Sequence, residues 1–391
     1  MNILTSTDSL GELCAQLSDQ PYVAIDTEFM RDKTYWSRLC LIQLAAPGIE
    51  AIVDPMTDID LEPLFVLLRD TRVVKVFHAG RQDIEIFFHR GRTIPEPVFD
   101  TQVAAMVCGF GDSISYDNLV RRILGEQIDK SSRFTDWARR PLTEKQLTYA
   151  MADVTHLRGV YESLSTRLKR SGRLNWLDEE LSVLTAPETY TVVPEKVWER
   201  VKAKPKSKRA LAVLVDVAAW REHEAQRQDV PRNRVMKDDA LVEVAVNAPK
   251  SQSDLAMLRA VPKGFERSKA AGSLLEAVEN GRHRPTESLP TPPQRTPLPG
   301  RLEPVVDLLR VLLRMQANRH KVAQRLIATT DDLEEIVRDD DADVPAMSGW
   351  RRELFGNLAL DVKHGRLGMT VRNGRVSLVP TEPAQTSVKA S

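Results

Sequence analysis

Through its first half the chain alternates short apolar runs with stretches of helical spacing. Tyr22-Val-Ala-Ile runs directly into Asp26-Thr-Glu28 and reads as a buried strand. Leu39-Cys-Leu-Ile-Gln-Leu-Ala45 and Glu50-Ala-Ile-Val-Asp54 are two more strands, parted by the turn pair Pro47-Gly48. Their close spacing predicts antiparallel pairing of all three. A fourth strand falls at 73–77 and a short one at 98–101. Helical spacing predicts helices over 9–17, 61–68, 82–89 and from the short strand to about Cys108. Beyond it the pattern is helical throughout. We expect residues 1–186 to form an α/β unit, a mixed sheet with helices packed on it.

In the second half the strand signals stop. Amphipathic stretches near 210–226, 239–246, 252–257 and 264–280 predict a small all-α domain over 194–284. Residues 285–300 are rich in proline and threonine and read as a stiff, extended linker. A second all-α unit over 301–373 shows apolar groups at 308–313, 322–327, 333–337 and 350–362. Thr330, ahead of Asp331-Asp332-Leu333-Glu334, reads as a helix N-cap. Both units run from a long amphipathic helix through a polar turn to short helices, the order of a tandem repeat. Residues 374–391 read as a frayed tail.

Composition narrows the class. A chain of 391 residues suits two or three domains. Its formal net charge is zero, so no global field draws it to nucleic acid or membrane. Charge is uneven locally: residues 187–284 hold 19 Lys/Arg against 14 Asp/Glu, opened by the basic run of 196–209. That run reads as a solvated hinge that adds salt-dependent affinity for nucleic acid. Cys14, Cys40 and Cys108 are scattered and odd in number, which speaks against a disulfide framework or a zinc motif. Residues 1–8 lack a signal-peptide pattern and no apolar run spans a bilayer. The expectation is a cytoplasmic protein with no membrane partner.

Chemistry centres on Asp26 and Glu28. Two residues apart on a strand, they share a face about 6–7 Å apart along the chain. Like charges about 5 Å apart at an effective dielectric near 20 repel by about 3 kcal/mol. Protonation, a basic partner or a divalent cation must offset that. Asp83 lies one turn into the helix after the fourth strand, and Tyr149 and Asp153 share a face of the segment 144–158. Read singly, Asp83 is a solvated first-turn acid and Tyr149–Asp153 a core tyrosine beside a surface acid. Taken together, the four acids can build an all-carboxylate cage suited to Mg²⁺ or Mn²⁺.

The order Asp26-x-Glu28, Asp83, Tyr149-x-x-x-Asp153 resembles the DEDD superfamily of 3′→5′ exonucleases, in its tyrosine branch. The histidine of the sister branch would stand at Thr148. Asp26-Thr-Glu-Phe-Met-Arg31, Thr34-Tyr-Trp36, Leu39-Cys-Leu-Ile-Gln-Leu44, Val76-Phe-His-Ala79, Asp136-Trp137 and Arg140-Pro-Leu142 resemble the ribonuclease D family. The two helical units are similar to HRDC domains. One departure is Gln82, where many members of the family carry asparagine before the aspartate.

The resemblance implies a ribonuclease H-like sheet and a metal-dependent exoribonuclease releasing nucleoside 5′-monophosphates from RNA 3′ ends, tRNA precursors included. A hydroxide approaching a phosphodiester is repelled, and two cations about 3.5–4 Å apart relieve that repulsion. Asp26 is expected to bridge both ions, Glu28 and Asp153 to complete the nucleophile side, and Asp83 to serve the other ion. Tyr149 is expected to hold the attacking water, being a poor base at neutral pH. Thr27, Phe29, His78, Lys130 and Arg133 are candidate substrate contacts, Phe29 by stacking or wedging between terminal bases. Arg139 is a further loop cation, and Asp100 reads as structural. The expected partner is RNA with a free 3′ end, bound by a monomer. Two alternatives are a 3′→5′ DNA exonuclease, since carboxylates do not read a 2′-hydroxyl, and a nucleic-acid-binding scaffold with an inactive nuclease domain.

Overall fold

The computed structural model describes residues 3–288 and 297–381. Six strands build the main sheet: β1 (Ile3–Leu4), β2 (Tyr22–Met30), β3 (Arg38–Ala46), β4 (Ile49–Val53), β5 (Val74–Phe77) and β6 (Val98–Asp100). Their order is β1-β4-β3-β2-β5-β6. The pairs β2–β3 and β3–β4 are antiparallel, as the spacing predicts, and β1–β4, β2–β5 and β5–β6 are parallel. Two-residue β1 is too short to show alternation and lies outside the expected strands.

Seven helices accompany the sheet: α1 (Thr7–Ser18), α2 (Glu62–Arg69), α3 (Arg81–Gly91), α4 (Thr101–Val107), α5 (Tyr116–Leu124), α6 (Glu144–Ser171) and α7 (Asn175–Thr185). Central strand β2 starts with four buried residues and β3 is buried after Arg38, so helices cover both faces there. Long α6 packs across β2 and β3. A capping box fixes where it starts: Thr143 Oγ1 accepts from Gln146 N, while Gln146 Oε1 accepts from Thr143 N.

The turn from β5 to α3 is held by Asp100. Its carboxylate accepts from Ala79 N (3.1 Å) and Gly80 N (2.8 Å), and it also caps α4 through Gln102 N (2.8 Å). A Cβ on Gly80 would meet Phe77 at 2.5 Å, so only glycine fits. Asp100 is structural, as expected, and what it positions is the start of α3.

The first helical module comprises α8 (Lys208–Gln228), α9 (Arg232–Val235), α10 (Asp238–Asn247), α11 (Gln252–Ala256) and α12 (Lys269–His283) around its own core. The helix expected over 264–280 is split, with a 3₁₀ turn at Phe265–Arg267 before α12. Val197 and Val201 from the basic run are buried in this core, so the run is part of the module rather than a free hinge. The second module comprises α13 (Glu303–His320), α14 (Gln324–Ile327), α15 (Thr330–Arg338), α16 (Gly349–Arg351), a π-helical turn (Arg352–Gly356) and α17 (Asn357–Lys363). The N-cap of α15 is Thr329, one residue before the expected Thr330; its hydroxyl accepts from Asp332 N. Of the expected linker, 289–296 lie outside the described residues.

Two expectations give way to a hairpin: β7 (Leu367–Arg372) falls inside the unit expected to be all-α to 373, and β8 (Arg375–Pro380) inside the tail expected from 374. Asn373 and Gly374 sit at φ 51° and 73°, the two left-handed positions of a tight hairpin turn. Residues 382–391 of the expected tail lie outside the described residues.

The two modules share a corner. Asp229 (φ 49°, ψ 50°) after α8 matches Lys321 (φ 53°, ψ 56°) after α13. The N-caps of α9 and α14, Pro231 and Ala323, agree within about 6° in φ and 4° in ψ, from −55°/140° and −61°/136°. Both corners touch the α/β unit. Asp229 accepts from the backbone N–H groups of Tyr35 and Trp36 (both 3.0 Å), and Ala323 N donates to Met106 O (2.9 Å).

Among the described residues, only the second module shares the core of the α/β unit. Trp176 of α7 stacks on Trp350 at 4.2 Å with planes 6° apart, and Arg173 and Arg351 each lie over one of the rings. Buried Arg351 pairs with Glu179 and Glu180 and donates to Leu326 O at 2.7 Å.

Candidate active site

The end of β2 and one face of α6 meet at a cleft of about 540 Å³. One carboxylate oxygen each from Asp26, Glu28 and Asp153 lie within 4.8 Å of one another. Alternation along β2 aims the first two together, and the capping box before Glu144 sets the turn on which Asp153 arrives. Asp83 lines the same cleft but stands apart from that group of three. Its carboxylate accepts a 2.5 Å hydrogen bond from Thr27 Oγ1. Thr27, expected to contact substrate, is buried and has its hydroxyl committed to Asp83.

Burial raises all four acids. Burial, then the charges of Asp153, Asp83 and Glu28, hold Asp26 well above the usual carboxylate range. Burial and then Asp153 and Asp83 push Glu28 up to about 8, against the pull of Arg133. Burial raises Asp153 to about 7 and Asp83 to about 6, the latter opposed by the Thr27 hydroxyl. Four acids that resist ionising together form a site that needs protons or cations. Their donors are all hard carboxylate oxygens, which fit Mg²⁺ or Mn²⁺. Among the described residues no arginine or lysine makes an ion pair with any of the four.

Tyr149 lines the cleft one helical turn before Asp153. Burial, then Asp153, Glu28 and Asp26, drive its hydroxyl pKa far up, so it keeps its proton at neutral pH. Phe29 and His78 also line the cleft. His78 Nδ1 lies 3.0 Å from Thr101 Oγ1, its ring packs on Tyr116, and its Nε2 is buried without a partner. Burial holds it below the ordinary histidine range, so it is neutral.

The loop before α6 forms one wall. Lys130 lines it but is paired with Asp117 at 2.7 Å. Arg133 lies over the Phe134 ring at 5.2 Å and is the cation felt by both Glu28 and Asp153. Arg139 does not line the cleft. Arg140 anchors the loop, with Nε and Nη2 on the two oxygens of Asp54 (2.6 and 2.7 Å) and a further bond to Cys40 O.

Phe134 and Tyr116 are among the cleft residues that escaped sequence reasoning. Phe134 is 91% exposed, a large apolar ring on the cleft wall with the Arg133 guanidinium over it. Tyr116 donates its hydroxyl to the Asp153 main-chain carbonyl, bracing α6 from the opposite wall. An aromatic in a turn or at a helix start carries no periodic signal that marks it.

Comparison with known proteins decides the family. A model for a 3′-5′ exonuclease domain matches residues 1–169, and one for the HRDC domain matches 201–278. Ribonuclease D of Nitrobacter hamburgensis is 51% identical over 378 residues, covering 96% of this chain and 98% of that protein. The chain belongs to the ribonuclease D family. Ribonuclease D of Bartonella henselae is 46% identical, covering 96% of this chain and 93% of that one. The crystal structure of Escherichia coli RNase D, described as an exoribonuclease involved in structured RNA processing, superposes with a TM-score of 0.80 at 31% identity. That match covers 93% of this chain and 99% of the other. The mixed sheet and the helical C-terminal region are those of the family. The HRDC match stops short of the second module.

Proposed function

We propose that this protein is a metal-dependent 3′→5′ exoribonuclease that removes nucleoside 5′-monophosphates one at a time from structured RNA, tRNA precursors among its substrates. The observation that carries this reading is the meeting of Asp26, Glu28 and Asp153 oxygens within 4.8 Å in an open cleft of a ribonuclease D family member. Asp26, Glu28, Asp153 and Asp83 would hold two divalent cations, Mg²⁺ or Mn²⁺. Bound there, such ions supply Lewis-acid activation of the attacking water and charge neutralisation of the phosphate and leaving 3′-oxygen.

The protein's own groups do the rest. Asp26, crowded by Asp153, Asp83 and Glu28, would be a ligand to the ions. Thr27 orients the Asp83 carboxylate. Tyr149, still protonated, orients the water by hydrogen bonding and does not remove its proton. Arg133, with no carboxylate partner among the described residues, meets the phosphate of the terminal nucleotide. Phe29 and Phe134 offer ring faces to the last bases. His78, neutral and with both ring nitrogens turned into the protein, shapes the cleft wall rather than reaching the substrate.

The second helical module reads as a diverged HRDC repeat, on the shared αL corner and the equivalent N-caps that follow it. We read the protein as a cytoplasmic monomer; among the described residues no helix is long and apolar enough to cross a membrane. The test is a digest of matched RNA and DNA oligonucleotides with free or blocked 3′ ends, with Mg²⁺, with Mn²⁺ and with chelator. Stepwise 5′-monophosphate release from free-ended RNA, abolished by chelator, is expected. Preference for DNA would reassign the substrate, and inertness with every metal would leave only a binding role.

A further inference from the structure

We propose that the cavity between the nuclease domain and the first helical module binds a backbone phosphodiester of the RNA strand whose 3′ end occupies the acidic cleft. The inference rests on the exoribonuclease reading above and adds a second, separate contact to it. The cavity, of about 310 Å³, is lined by Arg31 from the nuclease domain and by Arg200, Arg221 and Arg232 from the module. Four guanidinium groups around one small cavity repel one another unless anions intervene.

Three carboxylates already do so. Arg31 pairs with Glu85 at 3.0 Å, Arg221 with Asp238 at 2.8 Å, and Arg232 with Glu222. Arg200 has no ion pair among the described residues. Arg200 is therefore the lining arginine without a carboxylate partner among the described residues, and a singly charged phosphodiester matches it. Arginine forks suit that ligand, since two N–H groups can meet two phosphate oxygens. Arg221 is 5% exposed, and its Nε is buried without an acceptor. Asp238 and the Met236 carbonyl hold one of its nitrogens and the Glu222 charge lies nearby, which leaves Nε as a donor turned to no acceptor.

The walls are fixed across the domain boundary. Tyr35 donates its hydroxyl to Glu222 and lies beneath the Arg232 guanidinium at 4.9 Å. Position agrees with charge. Arg31 follows Glu28 by three residues, about 10 Å along the chain at strand rise. On the proposal, an RNA strand leaving the cleft on that side would meet the cavity within a few nucleotides, and a dinucleotide confined to the cleft would not.

The experiment compares kcat/KM for a dinucleotide and for a single-stranded 12-mer in full-length wild type, Arg200→Ala and Arg200→Lys, with Mg²⁺. We expect the 12-mer-to-dinucleotide ratio to fall about tenfold in Arg200→Ala and to recover in part in Arg200→Lys. The slope of log(kcat/KM) against log[salt] on the 12-mer should become shallower by about 0.7, the value of one single-strand phosphate. An unchanged ratio in Arg200→Ala overturns the proposal. So does stabilisation of the wild type by inorganic phosphate with no change in the ratio, which would assign the cavity to a free anion. Hydrolysis of the dinucleotide by wild type tests the exoribonuclease reading independently.

Discussion

Thr27 Oγ1 donates to Asp83 Oδ1 at 2.5 Å, tying the central strand to the first turn of α3. The bond explains why a threonine stands between Asp26 and Glu28. It points away from the acids on either side and holds a third carboxylate, itself 8% exposed, to the same cleft.

Replacing Thr27 by valine keeps the shape and removes the donor. Partners that orient a metal ligand are worth about 10–100-fold in metal affinity or activity. Thr27→Val should therefore need more Mg²⁺ for half-maximal rate, with kcat lowered about tenfold or more. A metal titration of the initial rate checks this; an unshifted midpoint at full kcat would remove Thr27 from the site.

The acids also set a pH dependence. Glu28 has a folded-state pKa raised to about 8 from 4.5, so the metal-free native state holds its proton more tightly than the unfolded chain. For a raised carboxyl the native state carries no penalty below the unfolded value and a growing one as pH rises to the folded value. Metal-free wild type and Glu28→Gln should melt together near pH 4. By pH 8.5 Glu28→Gln should melt a few degrees higher, about what 1–2 kcal/mol gives at this size. Mg²⁺ should raise the wild-type Tm more at pH 8 than at pH 6, because protons compete for the same oxygens. Differential scanning calorimetry in chelator and in Mg²⁺ reads both effects.

The second helical module is built into the nuclease domain. Trp350 is 8% exposed and stacked on Trp176, so Trp350→Ala should cost about 3–5 kcal/mol. Its melting transition and its activity on short single strands should fall together. Loss of activity on folded RNA alone, with an unchanged melt, would mean that the module is a separable docking arm.

Tyr149→Phe removes the hydroxyl that stays protonated beside Asp153. Single-turnover cleavage should slow about 10²–10³-fold while 3′-end binding stays within about twofold, since general acid–base and positioning groups act at the transition state. A parallel loss of binding would make the tyrosine a substrate anchor instead.

Much of this was legible in the chain. Asp26 and Glu28 declared a shared face through strand alternation, and Tyr149 and Asp153 through helical spacing. The sheet's antiparallel centre followed from the short 38–53 segment. Less legible were facts set by tertiary contacts. Nothing local says that Thr27 faces Asp83, that Lys130 is spent on Asp117, or that Phe134 stays exposed. The Asn373-Gly374 hairpin was readable, since Leu367, Met369 and Val371 alternate with polar residues, but terminal polarity masked it. The basic run looked solvated because its lysines outnumber Val197 and Val201, the two residues that bury it.

The central claim is that Asp26, Glu28 and Asp153 act together as a cation-holding catalytic group, and Asp26→Asn tests it most directly. The measurement is single-turnover cleavage of a 5′-labelled RNA in saturating Mg²⁺, with the melting temperature in chelator taken alongside. The account predicts a rate lowered at least about 10³-fold, consistent with loss of a principal electrostatic contributor. It also predicts a metal-free Tm equal to or above wild type at pH 8, because a repelled buried charge is gone. Wild-type turnover by Asp26→Asn would contradict it.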